Sequence, residues 1–196
     1  MPFRWVYASP KREESVQTLM DELGVPHTIA RLLALRGVED YDSAKQFFRP
    51  QLEQLHNPFL MKDMDKAATR LSNAIRNHER VLVYGDYDVD GTTALSLVHT
   101  FLKDFGVPVE YYIPHRYKEG YGINEEGIDY AAEHQCTLLV SVDCGITAIN
   151  ETEYAREKGI DLVICDHHTV GEQIPNAVAV LDPKRPDCSY PFDGLS

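Results

Sequence analysis

The sequence predicts an α/β protein in which a parallel β-sheet carries helices on both faces and is preceded by a small helical region. From residue 80 onward, strand-like and helix-like segments alternate along the chain. The strand-like segments are continuously apolar, which is typical of parallel strands buried on both faces. Before residue 78, apolar residues recur only at helical spacing.

The first 79 residues are predicted to form a helical N-terminal extension. Helices are expected over residues 15–23 and 26–36, where Gly24 and Gly37 act as stop signals. A shorter helix is expected over residues 42–48, closed by Pro50. Residues 63–77 predict a longer amphipathic helix, with an apolar face made of Met64, Ala67, Ala68, Leu71, Ala74 and Ile75.

The remaining chain, residues 80–196, is predicted to form the sheet domain. Strands are expected over residues 81–84, 109–113, 137–142, 161–165 and 177–181. The helices between them are expected over residues 92–105, 124–134 and 147–158. Asn124 is a suitable N-cap for the second of these, because Glu125 and Glu126 follow in its first turn.

The composition, 43% hydrophobic and 26% charged residues, is typical of a soluble globular protein. No apolar run of about 18 residues predicts a membrane span, and the first residues lack the apolar core of a signal peptide. The four cysteines form no CxxC pair, so we expect reduced thiols and a cytoplasmic protein.

The formal net charge of −12 argues against nucleic-acid binding, which depends on phosphate neutralisation. Two explanations keep such binding open. Carboxylates gathered around metal ions are neutralised in the working protein, and a basic surface can belong to a part of the protein outside this sequence. Because the chain stops shortly after a predicted strand, we expect it to be a fragment.

Acidic and imidazole side chains follow three of the predicted strands. Since the carboxyl ends of parallel strands meet at one edge of a sheet, residues far apart in sequence are expected to meet there. Crowded carboxylates repel one another unless cations compensate them. These residues are Asp86, Asp88 and Asp90 after the first strand, Asp143 after the third, and Asp166, His167 and His168 after the fourth.

Carboxylates mixed with imidazole predict a site for Mn²⁺, Mg²⁺ or Zn²⁺, and their number indicates two ions. Two ions about 3.5–4 Å apart can clamp a phosphate ester for hydrolysis. Gly91 is expected to begin a helix whose amides face a phosphate, and Gly145 to let the chain turn after Asp143. Each aspartate alone is equally typical of a helix N-cap, and the His pair alone is typical of a surface. Only the joint pattern favours a metal site.

Residues 111–124 (YYIPHRYKEGYGIN) follow another predicted strand and therefore border the same edge. Arg116 and Lys118 are suited to holding phosphates, and Tyr117 or Tyr121 to stacking on a base or sugar. The alternative is an ordinary glycine-containing loop with solvated charges. The position of residues 111–124 beside this edge favours a substrate-binding loop.

Three motifs resemble those of the DHH phosphoesterase superfamily: DYDVDG at residues 86–91, SVDCGI around Asp143, and DHH at residues 166–168. Within it, nearly the whole chain resembles the N-terminal portion of the RecJ-type single-stranded-DNA-specific exonucleases. That resemblance implies a DHH domain and processive 5′-to-3′ removal of nucleotides from single-stranded DNA with Mn²⁺ or Mg²⁺. It also implies work in bacterial recombination and repair, with partners such as a helicase or a single-strand-binding protein.

The resemblance also implies roles for single residues. His168 would contact the scissile phosphate and stabilise developing charge, and Arg116 would engage the DNA backbone. Many members have a histidine where this chain has Tyr84, four residues before Asp88, so Asp86 would replace it as a ligand. The implied metal ligands are Asp88, Asp90, Asp143 and His167, with Asp143 bridging two ions.

One motif of the family has no match in this chain. The family has a fourth metal-binding aspartate, and Asp182 and Asp187 follow the third motif too closely to match it. The fragment alone is therefore expected to be inactive or weak. Two alternatives remain: a DHH phosphodiesterase for short oligonucleotides or cyclic dinucleotides, and a non-catalytic DNA-binding scaffold.

Overall fold

The computed structural model describes residues 3–192 and 194–195; residues 1, 2, 193 and 196, which the predicted domain ranges include, lie outside them. No helix in the described part of the chain is long and apolar enough to span a membrane. The helices are α1 (Glu14–Leu23), α2 (His27–Leu35), α3 (Tyr41–Phe48), α4 (Met64–Arg76), α5 (Val89–Asp104), α6 (Glu125–Glu133) and α7 (Ile149–Glu157). The strands are β1 (Val81–Gly85), β2 (Val109–Tyr112), β3 (Leu138–Val142), β4 (Asp161–Cys165) and β5 (Ala179–Leu181), and short 3-10 turns span Leu52–Gln54 and Pro58–Leu60.

The chain divides into two compact units, Met1–Leu55 and His56–Ser196. In the first unit, α1, α2 and α3 enclose a small core that includes Leu19, Ala30 and Ala44. Gly24 ends α1 in the left-handed conformation predicted for a stop signal. Asp40 is the N-cap of α3, because its carboxylate accepts a hydrogen bond from the Ser43 amide.

The second unit contains a five-stranded parallel sheet with strand order β2-β1-β3-β4-β5. The chain runs from β1 outward to β2 and then returns past β1 to β3. The sheet therefore grows in one direction from β1 to β2 and in the other direction from β3 to β5. The strand order reverses between β1 and β3, which is the switch point. In open α/β sheets, ligands bind beyond the strand ends at such a switch point.

Helices cover both faces of the sheet, which confirms the predicted fold class. On one face, α4 and α5 pack in a core that includes Val81, Val83 and Val140. On the opposite face, α6 and α7 pack in a core that includes Leu82 and Leu139. The strands thus have apolar residues on both sides, which accounts for their continuous rather than alternating hydrophobicity.

Helix α4 belongs to the sheet unit. Its residues Ala67 and Ala74 are buried in the same core as strands β1 and β3, and α4 contacts β5. The boundary between the compact units along the chain therefore lies between Leu55 and His56, whereas the sequence predicted a boundary between residues 79 and 80. The amphipathic pattern of α4 was read correctly, but the pattern does not identify the surface that its apolar face covers.

Helix α5 begins at Val89, three residues before the start that the sequence predicted. Asp88 is its N-cap, and the Asp88 carboxylate accepts a hydrogen bond from the Gly91 amide at 3.0 Å. Asp90 therefore lies in the first turn of the helix. The expectation that Gly91 begins the helix is wrong, and Asp88 occupies the amide of Gly91 itself. That the amides of this helix face a phosphate stays a prediction.

Arg185 joins the segment after β5 to the start of α4. Its guanidinium donates to Asp63 at 2.8 Å, to both Asp187 oxygens at 2.9 and 2.8 Å, and to the Val180 carbonyl at 2.6 Å. The side chains of Arg185 and Asp63 are only 7% and 9% exposed. This ion pair is therefore buried, and it belongs to a small network, because Asp63 also pairs with Lys66 at 2.7 Å and Arg185 with Asp187 at 2.8 Å.

We expect Arg185→Ala to lower the free energy of unfolding by about 3 kcal/mol, because it removes the buried guanidinium that binds Asp63 and the Val180 carbonyl and leaves Asp63 with the more exposed Lys66 alone. Urea unfolding measures the change. Arg80→Ala is the matched control, since Arg80 pairs with Glu110 at 2.9 Å where the Arg80 side chain is 42% exposed. That exposed pair is expected to contribute about 1 kcal/mol or less. Equal losses in the two variants would contradict the importance of the buried pair.

Candidate metal centre

Four aspartates stand in one row along the carboxyl edge of the sheet. The register pairs the last residues of adjacent strands: Gly85 with Val142, Val142 with Cys165, and Cys165 with Leu181. The residue after each of these is an aspartate, and all four are nearly buried. They are Asp86 at 1%, Asp143 at 7%, Asp166 at 7% and Asp182 at 0% exposure.

Asp143 lies at the switch point, directly after β3. Its backbone has a left-handed conformation (φ 61°), which aspartate tolerates better than most residues, and its amide donates to the Cys165 carbonyl. One carboxylate oxygen, Oδ1, lies 2.8 Å from Nε2 of His167. The other, Oδ2, is buried and has no hydrogen-bond partner among the described residues.

Asp86 lies across the switch point, directly after β1. Its Oδ1 is also buried without a partner in the described part of the chain. Burial raises the pKa of Asp86 above its usual value, and the neighbouring charge of Asp88 adds to the effect. An unpaired buried carboxylate oxygen is costly, and a bound cation would compensate this cost at both Asp86 and Asp143.

Asp88 accepts one hydrogen bond from the backbone and lies near a second carboxyl group, that of Asp143. The hydrogen bond from the Gly91 amide lowers the pKa of Asp88. Burial raises the pKa of Asp143, and the nearby Asp88 carboxylate raises it again. The two carboxyl groups therefore repel when both are ionised, which favours a cation between them.

Asp166 holds the histidine pair in place. Although burial raises its pKa, hydrogen bonds from the Ile146 amide and from His168 hold the pKa of Asp166 below its usual value. Its Oδ2 accepts from Ile146 at 2.8 Å, and its Oδ1 accepts from the amides of His167 and His168 at 2.7 and 3.1 Å. Oδ1 also lies 2.7 Å from Nδ1 of His168. Asp166 therefore positions the residues around it.

His168 and Tyr121 meet beside Asp143. The Tyr121 hydroxyl lies 3.1 Å from Nδ1 and 3.3 Å from Nε2 of His168, and it donates to the Asp143 carbonyl at 3.1 Å. Burial raises the pKa of Tyr121, so the hydroxyl stays protonated. The His168 side chain remains 45% exposed. It is thus fixed by protein contacts and still accessible to a substrate.

Tyr84 does not face the carboxylates. It is fully buried in the core on the α6 and α7 face, where its ring stacks on Tyr112. Its hydroxyl donates to the Gly122 carbonyl at 2.7 Å, which anchors the loop after β2. Tyr84 therefore supplies no metal ligand in place of the histidine that many family members have there.

Arg116 lies on that same loop and is exposed. Its guanidinium carbon is 5.0 Å from the centre of the Tyr87 ring, and its charge is close enough to Asp86 to oppose the rise in that carboxyl's pKa. Tyr87 belongs to the DYDVDG segment after β1. The structure thus brings the predicted substrate-binding loop to the edge that carries the aspartates.

The donor set fits divalent cations. Asp143, His167 and His168 each place one possible ligand atom within 4.8 Å of the others. Asp86, Asp88 and Asp90 are not part of that compact group, although Asp90, Asp143 and His167 line one cavity of about 630 Å³. Mn²⁺ and Mg²⁺ bind carboxylate oxygens, and imidazole is a further donor for Mn²⁺, so a site with unpaired buried carboxylate oxygens suits these ions.

The interpretation of the sequence placed Asp166 at this edge without a single role for it, and it left one member of the row out. Asp182 was set aside because it follows the third motif closely. The signal was present, because Asp182 is the first residue after an apolar strand. The strand register identifies it as the neighbour of Asp166 along the edge.

The fold and the cluster define a doubly wound α/β protein with a carboxylate–imidazole centre at its switch point. The family model "DHH family, N-terminal domain" matches residues 80–195. The chain therefore belongs to the DHH family, as the motifs predicted.

Curated relatives support the closer resemblance as well. The chain is 38% identical over 193 residues to the single-stranded-DNA-specific exonuclease RecJ of Bacillus subtilis, covering 98% of this chain and 24% of that protein. It is 32% identical over 187 residues to RecJ of Escherichia coli, covering 95% of this chain and 32% of that protein. The resemblance to RecJ-type exonucleases is confirmed, and the chain spans only a quarter to a third of these relatives.

Solved structures agree with this relationship. A crystal structure of exonuclease RecJ bound to manganese matches 68% of this chain and 34% of its own, at 35% identity and a TM-score of 0.62. RecJ from Thermus thermophilus in complex with Mn²⁺ matches 93% of this chain and 25% of its own, at 28% identity and a TM-score of 0.68. Both similar proteins were solved with manganese.

Proposed function

We propose that the full-length protein is a metal-dependent phosphodiesterase that removes nucleotides from single-stranded DNA in the 5′-to-3′ direction. The observation that carries the proposal is the pair of unpaired, buried carboxylate oxygens of Asp86 and Asp143 on either side of the switch point. Cations would compensate these oxygens, and the relatives that share the motifs are named single-stranded-DNA-specific exonucleases.

In this proposal the centre holds two ions, Mn²⁺ or Mg²⁺. When bound, such ions activate water and neutralise the charge that develops on a phosphodiester. The buried position of Asp143 beside Asp88 and His167 supports a shared ligand, and the unpaired oxygen of Asp86 supports its substitution for the missing histidine. The ligands would be Asp86, Asp88, Asp90, Asp143 and His167.

The remaining residues bind and orient the substrate. His168 is held by Asp166 and Tyr121 with its ring accessible, so it is suited to donate a hydrogen bond to a phosphate oxygen as negative charge grows. Arg116 is exposed on the loop after β2 and is suited to a phosphate of the DNA backbone. Asp143, His167 and His168 are the proposed catalytic group.

The wider setting is part of the same proposal. The division into a helical extension (residues 1–79) and a DHH domain (residues 80–196) is retained as a functional division, since the family model begins at residue 80. We propose a cytoplasmic enzyme of DNA recombination and repair that works with proteins such as a helicase or a single-strand-binding protein. The names of the relatives support the DNA substrate alone.

The test uses the full-length protein with Mn²⁺ and three substrates labelled at the 5′ end: single-stranded DNA, its duplex and a dinucleotide. We expect the single strand to be degraded fastest, with the labelled 5′ nucleotide released first, and no release in the presence of a chelator. Preference for the dinucleotide would favour the small-substrate phosphodiesterase. No cleavage by protein that binds Mn²⁺ would favour a scaffold.

We expect Tyr121→Phe to lower kcat about 2- to 10-fold, since it removes a hydrogen bond worth about 0.5–1.5 kcal/mol that orients His168. Mn²⁺ affinity should stay unchanged, because the Tyr121 hydroxyl contacts the Asp143 carbonyl and not its carboxylate. Steady-state kinetics on single-stranded DNA measures the effect. Tyr117→Phe is the control, because Tyr117 is 89% exposed on the same loop. An unchanged kcat for Tyr121→Phe would contradict the orienting role.

A further inference from the structure

Residues 3–12, the N-terminal arm, precede α1 and form neither a helix nor a strand. Three aromatic side chains alternate along the arm, and all three are almost fully exposed: Phe3 at 96%, Trp5 at 96% and Tyr7 at 94%. Val6 between them is exposed as well. Single exposed apolar residues are common, but a contiguous group of large ones typically marks an interaction site.

The base of the N-terminal arm is fixed, in contrast to its exposed rings. Pro10 is buried. The Arg31 guanidinium donates to the Ala8 carbonyl at 2.7 Å and to the Glu13 carboxylate at 2.8 Å. The arm is therefore anchored where it joins α1. A segment that is held at its base loses less conformational entropy on binding a partner than a free chain does.

The N-terminal arm is positively charged, whereas the whole chain has a formal net charge of −12. The arm contains Arg4, Lys11 and Arg12 and no acidic residue. Arg12 lies 3.3 Å from Glu39, but the Arg12 side chain is 67% exposed, so water and salt screen this pair. Arg4 and Lys11 are exposed and pair with no acidic side chain in the described part of the chain. The arm therefore combines exposed rings with uncompensated positive charge.

Aromatic rings interleaved with cations fit a single strand of DNA. Unpaired bases stack on aromatic side chains whatever their sequence, and Lys and Arg neutralise the phosphates between them. In an extended chain, alternate side chains lie about 7 Å apart, roughly twice the 3.4 Å step of stacked bases, so one base fits between two neighbouring rings. An acidic peptide would use the charges but not the rings, and an apolar protein groove would use the rings but not the charges.

We propose that the N-terminal arm binds single-stranded DNA. Phe3, Trp5 and Tyr7 stack on unpaired bases, and Arg4 and Lys11 bind the phosphates. The proposal rests on the proposed function for its choice of substrate, and it adds to that function a contact made by residues that do not belong to the metal centre. Because the bases of a duplex are already stacked on both faces, this contact also favours single strands over duplexes.

Binding is measured with the full-length protein in the presence of a chelator, so that no strand is cleaved. Fluorescence anisotropy gives the affinity for a labelled single strand and for its duplex, in the parent, in Trp5→Leu and in the control Phe48→Leu. Leucine keeps an apolar side chain and removes the ring, and Phe48 is an exposed ring of α3 outside the arm. We expect Trp5→Leu to bind the single strand about 5- to 150-fold more weakly, with duplex affinity and unfolding temperature unchanged. Phe48→Leu should bind like the parent.

Two further measurements examine the charge and the ring separately. For Arg4→Ala, the slope of log K against log salt on the single strand should fall by about 0.7, because one phosphate contact is lost. Trp5 is the single tryptophan of this chain. The emission that Trp5→Leu removes from the full-length protein should be that of an exposed indole, and single-stranded DNA should quench it.

Parent-like affinity of Trp5→Leu for the single strand would overturn the proposal, and an equal loss on the duplex would contradict stacking. The emission of a buried indole before DNA is added would also overturn it, because the arm would then pack against the protein. A parent that binds single strands but does not degrade them with Mn²⁺ would overturn the proposed function instead. Binding in the chelator would still decide the role of the arm.

Discussion

Asp143→Asn is expected to lose Mn²⁺ affinity by more than the about 10- to 100-fold typical of residues that only orient a ligand. Asp143 is the carboxylate whose pKa the nearby Asp88 raises and whose Oδ1 lies 2.8 Å from His167, and its Oδ2 is buried without a partner in the described residues. Asparagine keeps the left-handed backbone at φ 61°, where alanine would add about 1–2 kcal/mol of strain. Calorimetric titration with Mn²⁺ measures the loss.

Stability provides the second half of this result. Without metal, Asp143→Asn should be at least as stable as the parent, because a buried charge beside Asp88 is removed. With Mn²⁺ at about 100 times the parent's Kd, the parent should gain about 2.7 kcal/mol that the variant lacks. Asp86→Asn is the comparison, and its loss of affinity should be smaller. Equal, mild losses in the two variants would contradict Asp143 as the shared ligand.

Gly91→Ala is expected to destabilise the protein and to weaken Mn²⁺ binding. A Cβ at this position would lie 2.5 Å from the Asp86 carbonyl oxygen and 2.7 Å from the Asp86 amide nitrogen. Alanine normally stabilises a helix by about 1 kcal/mol relative to glycine, but this clash with backbone should cost about 1–3 kcal/mol. Either α5 or Asp86 must shift, so a proposed ligand is displaced.

Denaturant unfolding and Mn²⁺ titration together measure this effect. We expect the affinity to fall about tenfold or more, since a metal site tolerates displacements of only about 0.5 Å. Gly171→Ala is the control, because its Cβ would lie 3.8 Å from the nearest neighbour. A Gly91→Ala protein as stable as the parent, with the same Mn²⁺ affinity, would contradict the close contact between α5 and Asp86.

The helices and strands were predictable because the apolar pattern of each element in the sequence reflects the faces that it buries. The strands are apolar on both faces, and the sheet is covered on both faces. The start of α5 was not predictable in the same way. Glycine is a poor helix former, so Gly91 favoured a later start, whereas the structure needs glycine in the first turn to let α5 approach Asp86.

The edge of the sheet that carries the candidate site was predictable, but the pairing of residues between neighbouring strands was not. The sequence identified which strands carry acids and that they share one edge, so it predicted Asp86, Asp143 and His167 as neighbours. It gave no role to Asp166 or Asp182, because periodicity along one strand does not reveal which residue of the next strand lies opposite. The buried position of the Tyr84 side chain could not be predicted either, since its hydroxyl donates to the carbonyl of Gly122, 38 residues further along the chain.

The central claim is that two cations are held by Asp86, Asp88, Asp90, Asp143 and His167. Crystals of the full-length protein grown with Mn²⁺ test it most directly, by anomalous diffraction at the manganese edge. The predicted result is two peaks about 3.5–4 Å apart, with Asp143 contacting both and His167 contacting one. A single peak away from Asp143, or Mn²⁺ bound with Asp86 and Asp143 still unpaired, would contradict the claim.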